Sequence, residues 1–330
     1  MTRELSYVQD MERRLLTDLR KPIWRPFLRA IRDYALIRPG DRIAVCVSGG
    51  KDSMLLAKLM QLLARHSETP FEAVYLIMDP GYDAANRERV EANARRLEIP
   101  YTLFESDVFE VAEAEASDER PCFLCARMRR GCLYGKAREL GCNKIALGHH
   151  FDDVIETTVM AMLYGGQIQA MPPKLKARNF PGMELIRPLY RVREADILAW
   201  RDAFDLQFIQ CACRMTARSE QDEAASARQR VKRLLKELSA ENPKAAQNVF
   251  NSIHRVQLDT LVGWKYRGTE HTFLKDYDGE NSEFKVESSE FRVESSEFRE
   301  NEAATNDSLQ TLNPDTVFNL NVEDPSRRSG

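Results

Sequence analysis

The spacing of apolar residues changes regularly along the first half of the chain. Nearly continuous apolar runs occur at 42–47, 72–79, 101–106 and 144–150, and each is typical of a buried strand. The stretches between them carry apolar residues at helical spacing, at 52–66, 84–99, 125–141 and 152–166. Apolar strands separated by helices predict an α/β fold, a doubly wound (Rossmann-like) parallel sheet with helices on both faces.

Helical patterns also flank this alternation. We therefore divide the chain into an N-terminal helical segment (1–38), a sheet domain (39–215), a C-terminal helical segment (216–275) and a tail (276–330). In the tail, the polar strings SEFKVES and SEFRVES follow one another with a period of seven residues. Such a composition cannot bury a repeat core, so we expect the tail to be disordered and of low complexity.

Charge is distributed unevenly along the chain. From Asp276 onward there are 14 acidic and 5 basic residues, whereas the preceding part has 37 acidic and 43 basic residues. A basic body suits an anionic partner, although an excess of this size also falls within ordinary scatter. The N-terminus has no apolar signal region, and no run approaches the roughly 18 apolar residues of a membrane helix. We expect a cytoplasmic protein without membrane contact.

A glycine-containing loop follows the first predicted strand. Its residues are Ser48, Gly49, Gly50, Lys51, Asp52 and Ser53. Glycines let a backbone turn tightly and approach an anion, the serine hydroxyls can donate hydrogen bonds, and Lys51 adds positive charge. Asp52 can cap the following helix or help to hold a magnesium ion. The pattern G-x-x-x-x-G-K-[ST] is absent, so the loop predicts a phosphate site of a different kind from the common P-loop.

The string SGGKDS after an apolar strand resembles the pyrophosphate loop of the PP-loop ATPases, which cleave ATP between the α- and β-phosphates and transfer AMP to a substrate oxygen. The resemblance implies that 48–53 bind the pyrophosphate of ATP and that Lys51 and Asp52 act in catalysis. It also implies that the string MDPGY, with Asp79, lies near the adenine. A turn-forming Asp-Pro is the alternative for Asp79.

The string GHHFDD follows the fourth predicted strand. A metal site at His149 and His150 is one alternative, but adjacent side chains in an extended segment point in opposite directions. The resemblance instead implies that the string, with Gly148 and His149, shapes the nucleotide pocket. A following carboxylate would coordinate Mg²⁺ together with the phosphates. Asp153 is preferred over Asp152, and both also suit a helix N-terminus.

The seven cysteines are unevenly spaced. Cys122 and Cys125 form a C-x-x-C pair, and Cys211 and Cys213 form a C-x-C pair nearly ninety residues later. In a cytoplasmic chain this spacing favours a metal site over disulfides, and both zinc and an iron–sulfur cluster remain open. Cys46, Cys132 and Cys142 are expected to be structural.

A longer match narrows these alternatives. The stretch from PCFLC to the strings MPPKL and IRPLYRVRE resembles the tRNA 2-thiocytidine synthetase family, from about residue 20 to about residue 240. The resemblance implies adenylation of the C2 oxygen of cytidine 32 in the tRNA anticodon loop, followed by replacement with sulfur. It further implies a [4Fe–4S] cluster held by Cys122, Cys125 and Cys211, with one iron free to carry sulfur. The family has a second C-x-x-C where this chain has C-x-C, so Cys213 is an alternative ligand.

Basic residues near these motifs favour tRNA as the partner. They are Arg127, Arg129, Arg130, Lys174, Lys176 and Arg178, which suit RNA phosphates or simply a solvated face. The resemblance adds a cysteine desulfurase as sulfur donor and leaves a homodimer open. The rival hypotheses are thiolation of another tRNA base, a PP-loop enzyme with a zinc site, and a non-catalytic nucleotide and iron–sulfur sensor.

Overall fold

A computed structural model describes residues 5–114, 121–209 and 223–277. Its main sheet has six strands, namely β1 (Arg42–Val47), β2 (Glu72–Asp79), β3 (Tyr101–Glu105), β4 (Lys144–Ala146), β5 (Lys174–Lys176) and β6 (Glu184–Ile186). The strand order is β3-β2-β1-β4-β6-β5. All neighbouring pairs are parallel except β5 and β6. The predicted α/β fold class is therefore confirmed.

Helices connect and cover the strands. They are α1 (Tyr7–Leu16), α2 (Arg25–Asp33), α3 (Lys51–His66), α4 (Ala84–Arg96), α5 (Val108–Ala114), α6 (Pro121–Glu139), α7 (Phe151–Gly165), α8 (Glu194–Ala203), α9 (Glu223–Glu241) and α10 (Ala245–Ser252). A π-helical turn (Arg20–Trp24) joins α1 to α2. None of the helices in the described ranges has the length and apolar character needed to cross a membrane.

The alternation of side chains along β1 separates two apolar cores. Ile43, Val45 and Val47 pack into the larger core, with α3 and the N-terminal helices. Ala44 and Cys46 point to the opposite face and pack into a smaller core, with Tyr134 and Ala137 of α6. Residues of a strand alternate between the faces of a sheet, so a continuous apolar run such as RIAVCV requires cover on both sides.

Three predicted boundaries were wrong. The fourth strand ends at Ala146, and 147–150 form an extended loop rather than the end of the strand. Helix α6 begins at Pro121 and not at Cys125, so Cys122 lies in the helix and not in a loop before it. The helical pattern of the predicted C-terminal segment is divided between two helices, because Pro243 follows Asn242 at a break between α9 and α10.

The segment expected to be helical up to residue 275 also contains a hairpin. Strands β7 (Gly263–Tyr266) and β8 (Thr269–Thr272) pair antiparallel, and a short helix, α11 (Leu274–Tyr277), follows. Its two-residue turn is Arg267-Gly268, and both residues have positive φ angles, of 50° and 87°. Strands β5 and β6 were not predicted either. The expectations for Cys211, for Cys213 and for the heptad tail concern positions outside the described residues.

Candidate active site

The candidate site lies at the carboxyl edge of the parallel strands. The chain runs from β1 outward to β2 and β3, and then returns to place β4 on the other side of β1. The loops after β1 and β4 consequently leave the sheet in adjacent positions, and a crevice opens between them. This topology brings together the predicted segments 48–53 and 147–153.

Gly49 and Gly50 have different reasons to be glycine. Gly49 has φ +84°, and a Cβ placed on it would lie 2.5 Å from Cγ2 of Val90 and 2.8 Å from Cδ1 of Ile209. Gly50 precedes α3 with φ −81°, and a Cβ there would lie 3.9 Å from Oγ of Ser48, an ordinary van der Waals distance. Gly49 thus permits the turn, whereas Gly50 leaves open space at the helix N-terminus, where an anion can approach the backbone.

The two serines of the loop hold its shape. The hydroxyl of Ser53 accepts hydrogen bonds from the backbone N–H of Ser48 (3.1 Å) and from the Ser48 hydroxyl (3.2 Å), and it donates to the carbonyl of Gly50 (3.0 Å). These bonds tie both ends of the turn to the first turn of α3. The loop is therefore organised by its own side chains.

Gly148 allows the loop after β4 to approach α3. A Cβ on Gly148 would lie 3.0 Å from the carbonyl carbon of Asp52 and 3.0 Å from the backbone nitrogen of Ser53. Any larger residue would push the string GHHFDD away from the helix N-terminus. The predicted placement of Gly148 beside the phosphate loop has this steric basis.

Lys51 lies between two carboxylates. Its Nζ is 3.1 Å from Oδ2 of Asp52 and 3.2 Å from Oε1 of Glu194, at the start of α8. Burial favours the neutral amine, but the two carboxylates outweigh it and raise the pKa of Lys51. Glu194 in turn contacts Nζ of Lys232 at 2.5 Å. Lys51 is therefore a charged group held at the mouth of the loop.

Asp52 has one oxygen without a hydrogen-bond partner. Its Oδ1 is buried and makes no hydrogen bond within the described residues, and Nε2 of His150 lies 3.7 Å away. Burial raises the pKa of Asp52, although His150 and Lys51 oppose this effect. A buried, unsatisfied carboxylate oxygen next to a phosphate loop is a suitable donor for a hard cation.

Asp152 and Asp153 have well-defined partners. Asp152 accepts hydrogen bonds from the backbone N–H of Glu194 (2.6 Å) and from Arg193 (3.4 Å), so it caps α8. Oδ2 of Asp153 accepts from the backbone N–H of His150 (3.0 Å), and its Oδ1 accepts from Arg228 of α9 (2.7 Å). Burial opposes the ionisation of Asp153, but His150 and Arg228 contribute to lowering its pKa.

The adjacent histidines have separate roles, as their opposite orientations predict. Nδ1 of His150 accepts from the backbone N–H of Asp153 (3.4 Å), which completes a capping box at the start of α7. Burial and the charge of Arg187 lower the pKa of His149 to about 3, so its ring is neutral at physiological pH. Nδ1 of His149 is buried and has no partner within the described residues, which leaves a polar atom for a nucleotide.

Asp79 organises the turn after β2. Its Oδ1 accepts from the backbone N–H groups of Gly81 (2.9 Å) and Tyr82 (2.7 Å), and Arg87 lies 3.3 Å from Oδ2. The Tyr82 hydroxyl donates to the carbonyl of Ser48 at 3.3 Å. This arrangement corresponds to the turn-forming alternative for Asp79, and it ties the MDPGY segment to the phosphate loop.

The described ranges contain Cys46, Cys122, Cys125, Cys132 and Cys142. Cys122 and Cys125 are three residues apart in the first turns of α6. Cys46 and Cys142 are buried; burial raises the pKa of Cys46 to about 12 and also raises that of Cys142. The buried pair is structural, as predicted for those positions, whereas Cys125 is only half-buried.

Two residues of the site were missed in the sequence. Glu194 pairs with Lys51 although 143 positions separate them, and Arg228 bridges Asp153 and Glu156 from α9. The signal for Glu194 was its place at the start of a helix in the string RVRE. No pattern distinguished Arg228 from the other basic residues of a polar helix.

The fold and the loop define a class: a nucleotide-binding α/β protein with a PP-loop at the end of its first strand. In agreement, the family model described as a PP-loop domain matches residues 21–220. A protein of Anaeromyxobacter dehalogenans named tRNA-cytidine(32) 2-sulfurtransferase is 37% identical over 254 residues, which cover 76% of this chain and 82% of the relative. A protein of the same name from Syntrophotalea carbinolica is 39% identical over 69% of this chain and 86% of its own length. The chain belongs to the PP-loop domain family and, within it, to the tRNA-cytidine(32) 2-sulfurtransferases.

A solved structure supports the fold. It is the U34-tRNA thiolase NcsA from Methanococcus maripaludis with its [4Fe-4S] cluster, which superimposes with a TM-score of 0.55 at 20% sequence identity. The match covers 78% of this chain and 81% of the thiolase. At this identity the likeness concerns the arrangement of strands and helices.

Proposed function

We propose that this protein is an ATP-dependent tRNA thiolase that activates the C2 oxygen of cytidine 32 and replaces that oxygen with sulfur. One observation carries the proposal: relatives up to 39% identical bear the name tRNA-cytidine(32) 2-sulfurtransferase. The PP-loop match at 21–220 includes the phosphate loop, the C-x-x-C pair and the string GHHFDD. The partner is accordingly tRNA.

The residues at the loop suit the first half of this reaction. The C2 oxygen of the base attacks the α-phosphorus of ATP, diphosphate leaves, and AMP becomes attached to the base. The open space at Gly50 and the N-terminus of α3 suit the diphosphate. Lys51 can neutralise charge that develops on this leaving group, because neighbouring carboxylates keep it protonated.

Sulfur then attacks C2 and AMP leaves, which is easier than the loss of an unactivated oxygen. We propose that Cys122, Cys125 and Cys211 hold a [4Fe–4S] cluster, since thiolates are the ligands such clusters prefer and two of the three are only three residues apart in α6. When bound, this cluster would supply an iron with an open coordination position for the incoming sulfur. A cysteine desulfurase is the proposed source of that sulfur, which it carries as a persulfide. A thiol reductant must therefore supply two electrons to bring the transferred sulfur to the sulfide level.

Asp52 is a better candidate ligand for Mg²⁺ than Asp153. Its buried Oδ1 has no hydrogen-bond partner within the described residues, whereas both oxygens of Asp153 accept hydrogen bonds. We therefore propose Asp52 as the magnesium ligand and assign Asp153 to the capping of α7 and to the contact with Arg228. This changes the ligand that the sequence favours.

The test uses the full chain, purified without oxygen and supplied with iron and sulfide. With ATP, Mg²⁺, sulfide and an unmodified tRNA transcript, we expect tRNA-dependent AMP and 2-thiocytidine in the digested tRNA, measured by mass spectrometry. A thiolated uridine instead would contradict the assignment of the base. Protein that makes no AMP and binds no tRNA would support the sensor hypothesis.

Metal analysis tests the cluster separately. We expect about four irons and four sulfides per chain, and we expect Cys125→Ala to lose them. Cys132→Ala is the matched control on the same helix, since burial raises the pKa of the Cys132 thiol. Stoichiometric zinc without sulfide would contradict the cluster but leave the ATP half of the proposal intact.

A further inference from the structure

The structure contains a cleft of about 580 Å³ outside the candidate active site. It is bounded by α6, by β5 with the turn that follows it, and by the chain at the end of α10. None of its lining residues belongs to the phosphate loop or to the string GHHFDD. The cleft is therefore a separate site, which the adenylation chemistry does not use.

Among the described residues, the charged side chains that line the cleft are cationic. They are Arg130, Lys176 and Arg178, and no aspartate or glutamate of the described ranges lines it. The side chains of Lys176 and Arg178 belong to exposed residues, so they can reach a ligand at the entrance. A cleft of this charge attracts a phosphate. Lys174, from the same basic group, donates instead to the carbonyl of Ala35 (2.9 Å) and lies outside the lining.

Aromatic rings form the apolar walls. Phe180 stacks on the buried ring of Tyr134, with centroids 4.8 Å apart and planes 14° from parallel. Across the cleft, the Tyr34 hydroxyl is 2.9 Å from Nε2 of His254. The guanidinium of Arg138 lies over the Phe180 ring, 5.5 Å from its centroid. A flat heterocycle can stack on this ring where it takes the place of the guanidinium.

An amide offers a polar contact inside the cleft. Nδ2 of Asn179 is buried and has no hydrogen-bond partner within the described residues. A buried amide without a partner costs free energy unless a ligand satisfies it. Asparagine can pair with the donor and acceptor groups at the edge of a nucleobase.

The cleft is linked to the active site through shared elements. Arg130 follows Cys125 by five residues on α6, which corresponds to a rise of about 7.5 Å along the helix. The hydroxyl of Tyr190 donates to the carbonyl of Met171 at 2.9 Å, and Arg187 donates to the carbonyl of Pro172. Arg187 directly follows β6 and also acts on the pKa of His149. These contacts connect the walls of the cleft to the helix that carries Cys125 and to the string GHHFDD.

We propose that this cleft binds an unpaired nucleotide of the tRNA substrate other than the one that is modified. Its base stacks on the ring wall and meets the amide of Asn179, and its phosphate lies against Lys176 and Arg178. The inference rests on the proposed function, because it takes tRNA as the substrate. Single-stranded RNA is recognised by this combination of stacking, base-edge hydrogen bonds and phosphate contacts.

The first test compares steady-state constants for tRNA. Phe180→Leu keeps an apolar contact with Tyr134 but removes the ring, and we expect it to raise the KM for tRNA about tenfold. The kcat at saturating tRNA and the KM for ATP should stay within about twofold, because the phosphate loop is untouched. Circular dichroism melting verifies that the variant is folded.

Matched charge variants distinguish tRNA binding in the cleft from non-specific electrostatic attraction. Lys176→Ala/Arg178→Ala should weaken tRNA binding more than Arg233→Ala/Lys236→Ala, which removes the same charge from exposed positions of α9. Equal losses in the two pairs, or an unchanged KM in Phe180→Leu, would overturn the inference.

The second test needs no variant. Wild-type protein is crosslinked to tRNA that carries 4-thiouridine at one position of the anticodon loop at a time. We expect a position other than 32 to label the peptide that contains Asn179 and Phe180. Crosslinks confined to other peptides would overturn the inference, even in an enzyme that thiolates tRNA. Labelling of this peptide in a protein that forms no thiolated nucleoside would instead contradict the proposed function.

Discussion

At the scale of single residues, two glycines have nearly the same φ angle but different surroundings. Comparing them distinguishes the cost of backbone strain from the cost of a steric collision. Gly40 has φ +83° and Gly49 has φ +84°, yet a Cβ meets nothing within 4 Å at Gly40 and meets Val90 at 2.5 Å at Gly49. Both substitutions by alanine incur the penalty of a left-handed conformation, about 1 kcal/mol. Only the substitution at Gly49 also brings the new methyl group into collision with the side chain of Val90.

We therefore predict that Gly49→Ala lowers the free energy of unfolding by about 2 kcal/mol more than Gly40→Ala does, because a buried overlap has to be relieved. Urea unfolding of both variants measures the difference. Gly49→Ala should also lose ATP binding, which calorimetry reports. Equal losses of stability would mean that the loop moves away from Val90 at little cost.

The charge state of Asp52 gives a second prediction at this scale. Its pKa is raised by burial, so the folded protein holds the proton more tightly than the unfolded chain does. Ionisation of Asp52 consequently lowers stability as pH rises from its ordinary pKa of 3.8 through the raised one, and the full loss is present above that range.

Asp52→Asn removes this loss. We expect the variant to be more stable at pH 7, by about 1 kcal/mol, and to have lost most ATP turnover. The stability advantage should disappear below the ordinary pKa of 3.8, where the aspartate is protonated in both the folded and the unfolded chain. Thermal melting at about pH 3 and pH 7 measures it, and Asp18→Asn on the exposed surface is the control. A variant that is less stable than the wild type at pH 7 would contradict the argument.

At the scale of elements, α9 is attached to the active site by charged contacts. Arg228 donates to Glu156 (2.9 Å) and Asp153 (2.7 Å), while Lys232 pairs with Glu194. Glu156 is buried, and burial raises its pKa even with Arg228 beside it. Without the guanidinium, two carboxylates would share a poorly solvated space.

We predict that Arg228→Ala lowers the free energy of unfolding by about 2 kcal/mol, since two charge-assisted hydrogen bonds are lost. Hydrogen exchange should show faster exchange throughout α9. Arg233→Ala, an exposed position of the same helix, should change stability by less than about 0.5 kcal/mol. If exchange in α9 were unaffected, apolar packing rather than Arg228 would hold the helix.

The elements differ in how well the sequence predicts them. β1 and β2 are long apolar runs that need cover on both faces, and their bounds were predicted correctly. β5 and β6 have three residues each, and their register depends on pairing between Leu175 and Leu185 rather than on a local pattern. The hairpin turn uses Arg267-Gly268, in which arginine is an uncommon residue at positive φ.

The residues of the candidate site also differ in whether a local pattern or a tertiary contact determines them. The loop 48–53 is contiguous and its chemistry is local, so its residues could be named from the string alone. The partner of Lys51 could not, because Glu194 reaches it only after β6 and α8 are in place. Asp152 and Asp153 are adjacent and chemically identical, and only tertiary contacts assign one to α8 and the other to α7 and Arg228.

At the scale of the whole molecule, charge separates the folded body from the chain that follows it. Residues 278–330 contain 13 acidic and 5 basic residues. The described part carries exposed cations around the cleft and on α9. An acidic segment tethered to such a body competes with RNA for those cations, and this competition weakens as salt screens it.

We predict that a chain ending at Tyr277 binds tRNA several-fold more tightly at about 50 mM salt, and that the difference vanishes near 0.5 M. Fluorescence anisotropy across a salt series measures it. A full-length chain with glutamine at Glu283, Glu287, Glu290 and Glu294 should reproduce most of the gain. A gain from truncation that this charge variant does not reproduce would mean that charge is not the cause.

The position of β4 in the sheet has a consequence for how the protein is made. Residues 43–45 of β1 pair with 144–146 of β4, about one hundred positions later, whereas the pairing of β1 with β2 spans about thirty. During synthesis, β1, β2 and β3 emerge first, and the edge of β1 that faces β4 has unpaired backbone groups. Such an edge is a template for association with other chains. Folding yield should therefore depend on how quickly the ribosome delivers α6 and β4, and a chaperone that binds extended apolar segments should be needed in that interval.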